Sequence, residues 1–120
     1  MKYMLLIYQN PTTWAALSDD ERKQIMGEAG DIVNELIESG EWIGGEGLAH
    51  PSRSKTVRVR RGVPAVTDGP FVEAKEQLAG YCLFECESEA RALDIATRWP
   101  DARNDAVELR PLMADAGTEM

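Results

Sequence analysis

An α+β fold in the order β-α-β-β-α-β, with an extra hairpin, is predicted by three observations. Two segments, 2–8 and 78–85, are apolar on both alternating sets of residues, as strands covered on both faces are. Two longer stretches repeat apolar residues every three or four positions, as helices with one buried face do. Between them lie short alternating segments bounded by turn residues. Two right-handed crossovers in this order set both helices on one side of the sheet, which is the ferredoxin-like arrangement.

The elements follow in order. In the first strand, 2–8, Tyr3, Leu5 and Ile7 form one set and Met4, Leu6 and Tyr8 the other. After Asn10-Pro11 a short turn holds Trp14 and Leu17, and Ser18-Asp19-Asp20-Glu21 is a capping box whose acidic first turn suits the helix dipole. Ile25, Ala29, Ile32 and Leu36 mark the apolar stripe of the helix that starts there, and Gly40 stops it. A glycine-rich strand is predicted over 41–48, where Gly44, Gly45 and Gly47 point to a bulge or a close backbone approach. The extra hairpin pairs 55–60, alternating Val57 and Val59 with Arg58 and Arg60, with a return over 64–67 that ends at Asp68-Gly69-Pro70. The second two-faced strand, 78–85, sets Tyr81 and Leu83 against Cys82 and Phe84. Ser88 caps a second helix that stops before Pro100, and 106–112 is the last strand.

Two helices cover only one face of this sheet, yet both central strands are apolar on two. The other face would leave an exposed patch of several hundred Å², more than monomers usually carry. A symmetric homodimer joined face to face is the predicted remedy.

Composition narrows the functional classes. With 120 residues, 43% hydrophobic and 28% charged, the chain fits one globular domain, expected over 1–113 with a flexible tail over 114–120. The opening apolar run is too short for a signal segment or a membrane span, so a cytoplasmic protein without a membrane partner is expected. A net charge of -8, with basic residues clustered only at Lys55, Arg58, Arg60 and Arg61, argues against direct nucleic-acid binding. Cys82 and Cys86 lie in one strand, about 13 Å apart at ~3.3 Å per residue. That separation exceeds the roughly 7 Å a disulfide spans, and the spacing suits no metal pair, so two buried thiols and no metal site are expected.

Asp68-Gly69-Pro70-Phe71, followed by Glu73-Ala74-Lys75-Glu76-Gln77-Leu78-Ala79-Gly80-Tyr81, resembles the YCII-related family, in particular its DGPF subgroup. The opening 1–8, Gly45-Glu46-Gly47-Leu48 and the closing 107–113 extend the resemblance over nearly the whole chain. It implies a ferredoxin-like fold assembled as a dimeric α+β barrel. Members of the other subgroup have a proposed His and Asp pair near the first helix, and one relative is a dehalogenase of a chlorinated ring-cleavage product. The first helix here has no histidine, so that pair has no counterpart. DGPF proteins are often encoded beside or fused to extracytoplasmic-function sigma factors, which implies a functional link to a sigma factor.

Six residues are candidates for chemistry. Asp68 would be delivered by its turn toward the long loop, although aspartate before glycine also closes an Asx-type turn on its own backbone. His50 has the near-neutral pKa that proton transfer needs, and equally reads as a surface loop residue. Glu46, between glycines, reads as a buried carboxylate or as a solvated one. Arg58 and Lys75 would orient an anion, or else lie on an exposed sheet face and a solvated loop, and Tyr81 would line a small apolar pocket or simply pack in the core. The first functional reading is a dimeric small-molecule binding or regulatory domain with no cofactor, holding a small organic acid near Asp68, Lys75 and Tyr81. The second is a cofactor-free acid–base enzyme of isomerase or dehalogenase type acting on a small unsaturated acid, with Asp68 or His50 moving the proton. A purely structural role is the third.

Overall fold

The computed structural model describes residues 1–116. Its elements run β1 (Lys2–Gln9), α1 (Pro11–Ala16), α2 (Asp19–Ser39), β2 (Trp42–Gly47), β3 (Lys55–Arg60), β4 (Val63–Asp68), β5 (Gln77–Glu85), α3 (Glu89–Arg98), α4 (Asp101–Asn104), β6 (Ala106–Pro111) and α5 (Met113–Ala116). Strands β2, β5, β1 and β6, in that spatial order, make an antiparallel four-stranded sheet. This is the ferredoxin-like order, and β3 with β4 forms a separate two-stranded sheet inserted as the predicted hairpin.

The local signals act as their chemistry requires. Ser18 Oγ accepts the Glu21 N–H at 3.1 Å while Glu21 Oε1 accepts the Ser18 N–H at 3.2 Å, closing the capping box that starts α2. Gly40 ends α2 at φ 79°, in the left-handed region where a Cβ is disfavoured.

The two-faced strands sort their side chains as the alternation predicts. Tyr3, Leu5 and Ile7 of β1 and Cys82 and Phe84 of β5 are buried against Ile32 and Leu36 of α2 and Ala92, Ile95 and Ala96 of α3. Met4, Leu6, Tyr8, Tyr81 and Leu83 alternate with them and are half-buried, so the apolar face away from the helices is less covered. Cys82 and Cys86 are both buried and both free.

The structure adds short helical elements where turns, loops and a tail were expected, and it extends β4. The segment after Asn10, expected as a turn, is α1: Asn10 Oδ1 accepts from Thr12 N at 2.9 Å and Thr13 N at 3.4 Å, and Pro11 takes the first helical position. Six residues are too few to display a helical repeat. After Pro100 the chain turns once more as α4 before β6. Strand β4 runs one residue further at each end than the 64–67 expected. Met113–Ala116 is a helical turn that reaches into the expected tail, 114–120, and 117–120 lie outside the described residues.

Candidate functional site

Between α2 and the β2–β5 half of the sheet lies a cleft of about 570 Å³. Its size follows from what the strands lack. Gly45, Gly47 and Gly80 line it, so backbone replaces side chains on this part of the sheet. At two of these positions nothing larger fits: a Cβ on Gly45 would stand 2.5 Å from the Tyr81 carbonyl oxygen and 2.8 Å from the Trp42 ring, and one on Gly80 2.9 Å from the Glu46 carbonyl oxygen. β2 bulges between Trp42 and Gly44, just before this close approach.

Aromatic and aliphatic groups form most of the remaining wall. Trp14 of α1, Trp42 of β2 and Trp99 at the end of α3 all line the cleft, together with Ile25 and Val33 of α2. These are all three tryptophans of the chain.

One polar network closes the end of the cleft. Asp101, at the start of α4, is only 5% exposed, the one buried charged residue among those described. Its Oδ1 accepts from Gln9 Nε2 of β1 at 3.0 Å and its Oδ2 from the buried Trp99 Nε1 at 3.0 Å. Burial pushes the Asp101 carboxyl above the usual carboxylate range, opposed by these two N–H donors. The neighbouring Asp105 accepts the Asn10 N–H at 3.3 Å, which fixes the start of α1 against α4. Asp101 also lines a second recess, of about 350 Å³, with Glu21, Glu28, Arg103 and Asp105.

Of the six residues singled out by sequence, Glu46 and Tyr81 line this cleft and the other four stand elsewhere. Asp68 ends β4, largely exposed, and its carboxylate is ion-paired with Lys55 directly across the hairpin. Arg58 on β3 sets its guanidinium 5.4 Å over the Phe71 ring. His50 is exposed and caps the short 3₁₀ turn Pro51–Arg53, its Nδ1 accepting the Ser52 N–H at 3.1 Å. Lys75 shares a shallow surface recess with His50, Asn10 and Pro11. Glu46 is exposed and opposite Tyr81 in the β2–β5 register, and both border the cleft. Of the six, the structure thus brings together His50 with Lys75 and Glu46 with Tyr81.

Asp101, Gln9, Trp14 and Trp99 escaped the sequence reading because their association joins residues up to 92 apart in the chain. The available signal was Trp99-Pro100-Asp101, an aromatic, a helix breaker and a carboxylate in sequence where a helix ends.

Among the described residues no group of three or more His, Cys, Asp or Glu side chains is placed to hold a metal ion, and no helix is long and apolar enough to cross a membrane. What the cleft offers is an apolar, aromatic volume bordered by the buried Asp101 and the exposed Glu46, an arrangement suited to a small organic molecule.

Comparison with known proteins covers the same residues that build this cleft. The chain is 32% identical over 114 residues to the uncharacterized protein R00369 of Rhizobium meliloti (strain 1021), an alignment spanning 93% of this chain and 92% of that one. The YCII-related domain matches residues 1–114, from β1 into α5, and the chain belongs to the YCII-related family.

Proposed function

We propose that this protein is a homodimeric small-molecule binding domain whose ligand occupies the cleft beneath α2. The observation that carries the reading is the cleft itself: about 570 Å³ of largely apolar space, within the range of small-ligand sites, beside a buried carboxylate already held in place by Gln9 and Trp99. A rigid polar group at the end of an apolar volume fixes the orientation of a ligand without having to be ordered when it arrives.

The dimer is supported by the face opposite the helices. Met4, Leu6, Tyr8, Tyr81 and Leu83 present half-buried apolar surface there, and the hairpin adds exposed Val57, Val59 and Val66. A second copy would remove such surface from water.

An acid–base enzyme is the second reading, and Asp101 favours it. A carboxyl raised by burial beside a cleft is the state in which general acids and bases are found.

The test is crystallisation in the presence of a mixture of small aromatic acids, alcohols and amines, with sedimentation velocity on the same preparation. Ordered ligand density between Trp14, Trp99 and Asp101 and a dimer mass are expected. A cleft that stays empty at saturating concentrations of all three classes would sink the binding reading, and a monomer mass at micromolar protein would sink the dimer.

A further inference from the structure

We propose that the cleft beneath α2 selects a small organic cation, an ammonium group carried on an apolar body, with the charge set toward Asp101 and the body against the tryptophan faces. This rests on the reading of the cleft as a ligand site and adds the charge class of its occupant.

Three observations point the same way. The first is what the lining lacks. Among the described residues no lysine, arginine or histidine lines the cleft, whereas Glu46 and Asp101 do, Asp101 with 5% exposure. A ligand carboxylate would therefore enter without a cationic partner, beside the like charge of the buried Asp101. A cation meets the opposite situation.

The second is the coordination of Asp101. A carboxylate is an acceptor with about four lone-pair positions, and Gln9 and Trp99 take one on each oxygen. The Asp101 backbone N–H adds a third, which leaves acceptor capacity for one further donor. An ammonium group supplies donors and the positive charge that pairs with the carboxylate.

The third is aromatic. All three tryptophans of the chain line this one cleft, and indole is the aromatic ring that attracts cations most strongly. Trp99 unites the features, since it lines the cleft and its indole N–H is the donor to Asp101.

The field around the cleft is consistent with this selection. The adjoining recess sets Glu21, Glu28, Asp101 and Asp105 against one cation, Arg103, which is ion-paired with Glu28. The whole chain carries -8, so an approaching cation is attracted and an anion repelled.

The experiment is isothermal titration of the full chain with three probes of nearly equal shape, benzylammonium, benzyl alcohol and benzoate. Tryptophan emission is followed in parallel, because all three indoles report from the cleft. Saturable binding of benzylammonium is expected, at least about tenfold tighter than benzoate, with benzyl alcohol between them. Asp101→Asn is expected to reduce benzylammonium affinity about tenfold or more while changing benzyl alcohol binding much less. Should that variant fold poorly, Trp14→Leu on the half-exposed α1 serves instead, and is expected to weaken benzylammonium more than benzyl alcohol. Benzoate binding as tightly as benzylammonium overturns the charge selection and leaves the cleft as a ligand site. Absence of saturable binding by all three overturns both. Equal loss for benzylammonium and benzyl alcohol in Asp101→Asn also overturns the proposed role of the charge.

Discussion

Arg91 of α3 and Glu41, just before β2, meet in a two-pronged ion pair: Arg91 Nε donates to Glu41 Oε2 at 3.1 Å and Nη2 to Oε1 at 2.8 Å. The same guanidinium reaches Glu35 of α2 at 3.1 Å and Asp94 at 3.2 Å. One planar cation thereby ties together both long helices and the strand that borders the cleft. A lysine ammonium has no fork to match a carboxylate with two parallel bonds.

Arg91→Ala is expected to destabilise the fold by about 2 kcal/mol, because Glu41, whose side chain is 16% exposed, loses its partner and remains poorly solvated. Arg91→Lys should recover less than half of that loss, since the paired geometry is lost. Urea unfolding of the three proteins checks both. Equal midpoints for Arg91→Ala and the parent would show the pairs to be energetically neutral.

Acid should unfold the protein partly through Glu35. Hydrogen bonds from Arg98, at 2.7 and 2.9 Å, and then from Arg91 lower its carboxyl from 4.5 to about 2. The unfolded state takes up this proton first as pH falls. The contribution of Glu35 is therefore complete above its unfolded value of 4.5 and is lost as pH drops toward about 2. Glu41, lowered chiefly by its hydrogen bonds from Arg91, acts in the same direction. Asp101 acts in the opposite one, since burial raises it and the folded state binds its proton more readily. Melting temperature measured across this acid range should fall less steeply in Arg98→Ala than in the parent. Parallel profiles would remove Glu35 from the account.

Much of this architecture was legible because it is written locally. Ser18 and Glu21 are three residues apart, Gly40 follows directly on its helix, and the alternation of Tyr3, Leu5 and Ile7 with Met4, Leu6 and Tyr8 is visible in eight letters. The cleft is not local in this sense. Its volume depends on the absence of side chains at Gly45 and Gly80, which belong to different strands, and its carboxylate is held by donors from β1 and the end of α3. Asp68 drew notice because Asp-Gly is a strong turn signal, yet its side chain pairs with Lys55, thirteen residues earlier, across a hairpin whose register no single motif prints.

The glycines separate close approach from mere tolerance. Gly45→Ala should cost about 2 kcal/mol or more, because its Cβ would meet the Tyr81 carbonyl at 2.5 Å and the β2–β5 pairing must shift. Gly27→Ala, in mid-α2 with nothing within 4 Å of the added carbon, should stabilise by about 0.5–1 kcal/mol through helix propensity and reduced unfolded-state freedom. Thermal melts of the pair give opposite shifts on this account. A neutral Gly45→Ala would mean that the bulge in β2 relaxes without loss.

Asp101 can be tested as a structural acceptor independently of any ligand. Removing it as Asp101→Ala strands the buried Trp99 Nε1, 3.0 Å from the oxygen that is lost, and the Gln9 amide with it. A buried donor left without an acceptor costs about 1–3 kcal/mol, and the emptied volume adds to this, so a loss of about 2–4 kcal/mol is expected. Asp101→Asn is different in kind. Its amide oxygen still accepts from Trp99, and the half-buried Gln9 side chain meets the new NH₂ group by rotating its own amide so that oxygen faces it. The number of hydrogen bonds is then conserved and the burial of a charge is relieved, which holds the cost to about 1 kcal/mol or less. Denaturant midpoints for the two variants, with tryptophan emission reporting on Trp99, distinguish these cases. If Asp101→Asn proves as damaging as Asp101→Ala, the negative charge itself holds α4 in place, and Gln9 does not rotate to replace what is lost.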